Sequence, residues 1–307
     1  MNFRNITFDE ADPRLDWLAL GDALEAGHAL PPAKIEDVVM SRDSDVMLSR
    51  HAWIDGLGAA VKTCMIFPHN TERFGRANLN GIVTLYNDAH GCLEATIDFA
   101  LVTKWKTAAD SLLAARHLAR ADSRVILVIG AGIVARSLIE AYGAGFPEAR
   151  FLIWNRTRAR AEAVAAAYPA RDITIVDDLE SAVAAADIIS TCTMANQPFL
   201  KGEWLRPGQH VDLIGAYLPD MREADDAVMQ RSRIFVDAIE TTVDQIGELM
   251  DPLANGAIHR DDILCDFRDL SSGRFARTGE DEITLHKNGG GAHLDLMTAN
   301  YVLQALS

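Results

Sequence analysis

The residues best suited to do chemistry lie between 125 and 157. Gly130-Ala131-Gly132-Ile133-Val134-Ala135 follows directly on the apolar run Val125–Ile129 and opens a helical pattern to about Gly145; a second apolar run occupies 151–154. Strand, glycine turn, helix and strand make one βαβ unit. Gly130 permits the tight turn, Gly132 lets a pyrophosphate approach the backbone, and Ala135 takes the third small position, where helix and strand close up. The N–H groups of Ala131, Ile133 and Val134 and the positive end of the helix favour phosphate. The spacing predicts a dinucleotide site. The end of the second strand selects the dinucleotide. An acidic residue there would accept from ribose hydroxyls; this chain has Asn155-Arg156-Thr157. An arginine fork pairs with a 2′-phosphate, so NADP(H) is favoured and NAD(H) is the alternative. Thr193, just past the apolar run Ile188–Thr191, is a further cofactor candidate, because open α/β sheets bind ligands beyond the carboxyl ends of their strands.

These residues need a scaffold. From 124 onward, apolar runs at 173–176, 188–191, 210–214 and 234–236 alternate with helical segments, which predicts a doubly wound, mostly parallel sheet of the Rossmann type. Residues 1–30 predict a helical entry starting at Asp12-Pro13 and stopped by Pro31-Pro32. Short β-rich runs at 38–40, 46–48, 59–67, 81–86 and 94–97 predict an antiparallel or mixed sheet, and 107–120 a helix. The end departs from the alternation: a strand-like run at 282–287, a glycine turn at 288–291 and a helix over 293–306. This tail is expected to leave the nucleotide domain and pack on the N-terminal sheet. The fold class is therefore α/β: a Rossmann domain, 119–286, inserted in a smaller α+β domain formed by 1–118 and 287–307.

Composition narrows the function. A chain of 307 residues with 49% hydrophobic and 24% charged residues can form two cores. A formal net charge of −15 argues against nucleic acid or an anionic membrane as the main partner. The four cysteines, Cys64, Cys92, Cys192 and Cys265, show neither CxxC nor metal spacing. No histidine pair has metal spacing, so no metal is expected. The sequence from Met1 has no apolar signal core, and no apolar run is long enough for a bilayer. A reducing, cytoplasmic setting is expected.

Several local patterns, in order, resemble the ornithine cyclodeaminase/mu-crystallin family. They are Ala60-Val61-Lys62 with Phe67-Pro68-His69-Asn70; Gly81 with Asp88 and Gly91; Thr103-Lys104-Trp105-Lys106-Thr107-Ala108-Ala109; Gly202-Glu203-Trp204-Leu205 with Pro207-Gly208, Gly215 and Arg222-Glu223; and Glu282 to Lys287 with Gly290 and Asp295-Leu296. The resemblance implies a Rossmann domain joined to a substrate-binding and dimerisation domain, commonly in homodimers joined through the N-terminal sheets. It also implies a small imino- or amino-acid substrate beside a nicotinamide ring.

Carried onto this chain, the resemblance makes Lys62 a ligand of the substrate carboxylate or a general acid/base. Lys106 stands where the family has an arginine, so a point charge replaces a planar fork. Arg50 and Lys34 are candidates for a further N-terminal cation. Thr103 is implied near the cofactor, and so is Asn288, where the family usually has serine. Cyclodeaminases carry an aspartate after the glycine of the fifth strand. Here Gly215-Ala216 is followed by Tyr217, which can donate a proton but is a poor base at neutral pH. This favours NAD(P)H-dependent reduction of a cyclic ketimine carboxylate, with Δ1-pyrroline-2-carboxylate to L-proline as the representative reaction. The alternatives are an ornithine cyclodeaminase with bound NAD+, an amino-acid dehydrogenase of the alanine dehydrogenase type, and a non-catalytic NADPH-binding protein of the mu-crystallin type.

Overall fold

A computed structural model of the chain describes residues 3–307. It divides into two units, Met1–Lys106 with Gly291–Ser307, and Thr107–Gly290. The boundaries expected at 118/119 and 286/287 fall instead at 106/107 and 290/291. The reason lies in one long helix, Phe99–Leu118. It begins before the expected Thr107 because Asp98 Oδ1 accepts from the N–H groups of Ala100 and Leu101. Its later turns belong to the second unit: the Thr107 carbonyl accepts from Asn288 Nδ2, and the Leu118 carbonyl from Thr284 Oγ1.

The first unit is built on a six-stranded sheet. Its strands are β1 (Arg4–Ile6), β2 (Lys34–Arg42), β3 (Asp45–Ile54), β4 (Gly58–Ile66), β5 (Leu79–Tyr86) and β6 (Leu93–Asp98), in the order β1-β6-β5-β4-β3-β2. β1 runs parallel to β6, and the other neighbours are antiparallel. The helix Ala292–Ala305 lies on β3 and β4 and against the helix Trp17–His28. The pleat sorts the side chains by period two. Arg50, Lys62 and Val83 oppose one another on the helix-covered face. Val38, Met40, Trp53 and Ile82 fall on the other face and are exposed.

The entry differs from the expected single helix. It begins with β1, and the long helix starts at Trp17, where Asp16 accepts from Ala19 N–H at 2.8 Å. Asp12-Pro13 sits in a 3₁₀ turn. The Asp12 carboxylate is engaged elsewhere, accepting from Lys104 Nζ at 2.8 Å and Trp105 Nε1 at 2.7 Å.

The second unit holds an all-parallel sheet of β7 (Val125–Ile129), β8 (Arg150–Trp154), β9 (Ile173–Ile175), β10 (Ile188–Thr191), β11 (His210–Leu213), β12 (Arg233–Val236), β13 (Ile263–Cys265) and β14 (Thr284–Lys287). Their order is β13-β12-β14-β11-β10-β7-β8-β9. Near-continuous apolar strands such as β7 suit a sheet buried on both faces. The strand-like run at 282–287 does not leave this unit, as the expected tail would. β14 lies between β11 and β12, and only the helix after Gly291 joins the first unit. No described helix is long and apolar enough to cross a membrane, and the described residues contain no group of three or more His, Cys, Asp or Glu fit to hold a metal ion.

Candidate functional site

In the second unit a crevice of about 560 Å³ opens at the carboxyl ends of β7, β8 and β10. Gly130 forms its floor at φ +130°, and a Cβ there would lie 2.7 Å from Cys192 Sγ. Only glycine fits that turn. At Gly132 an added Cβ would meet nothing within 4 Å, so the space beside it is open to a ligand. Gly132 caps the helix Ile133–Gly145 without a side-chain bond, which leaves no side-chain acceptor at that helix end. These features fit a dinucleotide pyrophosphate.

Of the expected cofactor residues, Gly130, Ala131, Gly132, Asn155, Arg156 and Thr193 line this crevice together. Ile133 and Val134 open the helix beside it but do not line it. Thr157 caps the helix Arg158–Ala166 instead, its carbonyl accepting from Asn155 Nδ2 at 2.8 Å. Asn288 is off the crevice: its Nδ2 donates to the Thr107 carbonyl and to Ser111 Oγ, securing the turn after β14. Thr103 belongs to the first unit, where its hydroxyl donates to the Phe99 carbonyl within its own helix.

Sequence reasoning missed other lining residues, Arg160, Trp154, Phe199 and Cys192 among them. Arg160 joins Arg156 on the crevice wall; helical spacing after Thr157 was the available signal. Trp154 and Phe199 stack there with ring centroids 6.4 Å apart, a flat apolar wall suited to a purine. Their separation in sequence hid the pairing. Cys192 also lines the crevice, and burial, with Glu223 nearby, pushes its thiol well above the ordinary range.

The first unit gathers a cluster of cations. Lys62, on β4, is 6% exposed, and its Nζ donates to Asp295 Oδ1 at 2.9 Å. Lys106 Nζ lies 3.8 Å from the same oxygen. Arg50 is directly across the β3–β4 ladder from Lys62 and donates from Nε to Asp37 at 3.0 Å. Phe99 presents its ring 4.8 Å from Lys62 Nζ. Burial opposes ionisation of Asp295, yet Lys106, Lys62 and Arg50 hold its carboxyl below the usual range. Asp295 Oδ2 is buried with no hydrogen-bond partner. Lys34 does not join the cluster. It sits at the exposed start of β2 opposite Trp53, on the other face of the sheet. Tyr217 is in the loop after β11, 54% exposed and off the dinucleotide crevice.

A profile of the ornithine cyclodeaminase/mu-crystallin family matches residues 23–307. The Δ1-pyrroline-2-carboxylate reductase of Paracoccus denitrificans (strain Pd 1222) is 47% identical over 306 residues, 98% of this chain and 96% of that protein. The Thermococcus litoralis Δ1-pyrroline-2-carboxylate reductase, solved with NADH and L-proline, superposes with a TM-score of 0.90 at 23% identity, over 99% of this chain and 97% of that one. An archaeal alanine dehydrogenase dimer with bound NAD gives a TM-score of 0.90 at 23% identity, over 99% and 96%.

Proposed function

The chain belongs to the ornithine cyclodeaminase/mu-crystallin family, and from that premise we propose that it is an NAD(P)H-dependent reductase of a small cyclic ketimine carboxylate, converting Δ1-pyrroline-2-carboxylate to L-proline. The observation that carries this reading is the convergence of Lys62, Lys106 and Arg50 around Asp295. Cations kept from water in this way suit a carboxylate ligand, which is costly to desolvate alone. A nicotinamide bound in the crevice would supply the hydride for the imine carbon. Lys62 and Lys106 hold the substrate carboxylate. Lys62 or Tyr217 donates the proton that the product nitrogen requires.

NADP(H) is the favoured coenzyme, with NAD(H) second. Arg156 and Arg160 line the crevice where β8 ends, and no carboxylate stands at the matching position of β8. The working form is a homodimer joined through the sheet of the first unit. Its exposed Val38, Met40, Trp53 and Ile82 share one face, an apolar patch of the kind that serves association.

A panel of cyclic imine carboxylates assayed by NADPH oxidation tests the reaction. Turnover of Δ1-pyrroline-2-carboxylate with formation of L-proline is expected. Release of ammonia and proline from L-ornithine without added coenzyme, with no imine reduction, would overturn the proposal in favour of a cyclodeaminase.

A further inference from the structure

The dipeptide Arg222-Glu223 matches a family pattern in the sequence, yet it is neither among the crevice-lining residues nor part of the cation cluster. Its placement is nonetheless specific. The Glu223 carboxylate is wholly buried and accepts four hydrogen bonds. Oε1 accepts from Thr193 N–H and Thr193 Oγ1, each at 2.7 Å. Oε2 accepts from Thr191 Oγ1 and Gly215 N–H, each at 2.7 Å. Thr191 ends β10, and Thr193 lies on the crevice wall. Gly215 lies in the loop after β11 that carries Tyr217.

The backbone of the same dipeptide runs along that wall. The Glu223 carbonyl accepts from Phe199 and Leu200 N–H at 2.9 Å, and Arg222 N–H donates to the Ala195 carbonyl at 3.1 Å. Glu248 fixes the dipeptide from behind, accepting from the N–H groups of Glu223 and Ala224 at 2.8 and 2.9 Å. The fit around the carboxylate is close. A Cβ on Gly215 would stand 2.5 Å from Glu223 Oε1 and 2.1 Å from the Thr193 carbonyl.

We propose that Glu223 is a positioning residue for the coenzyme: its carboxylate fastens the loop after β10 to the loop after β11 and so fixes the wall formed by Thr193, Ala195 and Phe199. This inference rests on the dinucleotide reading of the crevice and adds a residue that itself touches no coenzyme. Two of the four donors are backbone N–H groups that cannot reverse their polarity. The hydroxyls can turn; the amides cannot. A carboxylate satisfies both amides with separate oxygens, whereas a carboxamide must aim its NH2 group at one of them. Asp would be too short to span the two loops.

The test compares wild type with Glu223→Gln by direct titration of NADPH and NADH without substrate, beside thermal unfolding and the split between coenzyme KM and kcat. The expected result is a coenzyme dissociation constant raised about tenfold, the loss of roughly one buried hydrogen bond. The KM for coenzyme rises with it, and kcat at saturating coenzyme stays within about threefold. A folded Glu223→Gln protein of lowered Tm that binds both coenzymes like wild type would overturn the inference, leaving Glu223 a purely structural residue. Thr191→Val serves if Glu223→Gln does not fold. It removes one donor from a side chain that does not line the crevice, and unchanged coenzyme affinity there would likewise overturn the inference. Wild-type protein that binds neither coenzyme would overturn the dinucleotide reading itself, an outcome separate from equal binding by wild type and variant.

Discussion

Lys62 Nζ and Asp295 Oδ1 meet at 2.9 Å across 233 positions of sequence, both side chains buried. β4 supplies the lysine, and the first turn of the C-terminal helix supplies the aspartate. The pair joins the proposed substrate cation to the stability of the first unit. Lys62→Met should lower kcat/KM by about 100-fold or more while leaving NADPH affinity within about twofold, since the crevice lies in the other unit. Steady-state kinetics and coenzyme titration together decide this. Undiminished turnover in the variant would remove Lys62 from the site.

Asp295 gives a pH signature. Its carboxyl is held below the ordinary 3.8 by Lys106, Lys62 and Arg50 against the effect of burial. Between the folded and unfolded values the unfolded chain binds the extra proton. The stabilisation is therefore complete well above pH 3.8 and is lost as pH falls through the lower folded value. Asp295→Asn should cost on the order of 3 kcal/mol near neutrality, because it leaves buried lysines without their anion. Urea unfolding of the variant should show a shallower acid limb below about pH 4 than wild type. Parallel limbs would contradict the charge assignment.

Glu248 behaves in the opposite sense. Burial, then the neighbouring Glu223, pushes its carboxyl up to about 7, opposed by Lys287 and by the N–H groups of Ala224 and Glu223. The folded state therefore holds the proton more tightly than the unfolded state. Stability associated with Glu248 falls as pH rises from 4.5 through about 7, a loss of about 3 kcal/mol. His210, lowered to about 3 by burial, acts against this trend below its ordinary 6.5. The difference between Glu248→Gln and wild type isolates the glutamate. Relative to wild type, the variant should gain stability as pH rises through this window. A constant difference across it would mean that Glu248 does not titrate there.

Coenzyme choice is tested at the end of β8. Arg156→Ala should weaken NADPH by about tenfold and NADH by less than about twofold, the signature of a lost charge-assisted pair to the 2′-phosphate. Arg160→Ala should act in the same direction. Equal weakening of both coenzymes would assign these arginines to the shared part of the dinucleotide, and unchanged affinity for both would remove them from the site.

Association is tested on the exposed sheet face. Met40→Glu combined with Trp53→Glu should shift the protein from dimer to monomer in sedimentation analysis, because both substitutions place charge on one apolar face. Light scattering that gives one monomeric mass for wild type and variant would end the dimer proposal.

The nucleotide half was the more legible in sequence because its signal is local. Gly130, Gly132 and the apolar run of β7 are neighbours, and a βαβ unit repeats one rule. What sequence hid was long-range. β1 is three residues with little apolar pattern, held by pairing with β6. β14 enters the middle of the sheet after a long excursion, so its place between β11 and β12 depends on partners far away. Asp12-Pro13 carries the marks of a helix start, but its carboxylate serves Lys104 and Trp105 instead. Asp295 and Lys62 were each visible as part of a motif; their pairing was not. Lys34 and Arg50 looked equivalent as nearby cations. Strand parity separates them, and parity depends on a register that only the folded ladder fixes.

The first unit is closed by a helix that begins at Ala292, after the whole of the inserted unit. During synthesis the strands bearing Arg50 and Lys62 leave the ribosome long before their acidic partner exists. The inserted unit is translated whole in that interval and can reach its native form first. The face of the sheet that carries Lys62 must wait for residues made after the inserted unit, so a ribosome stalled before Asp295 would hold a complete second unit joined to an unfinished first one.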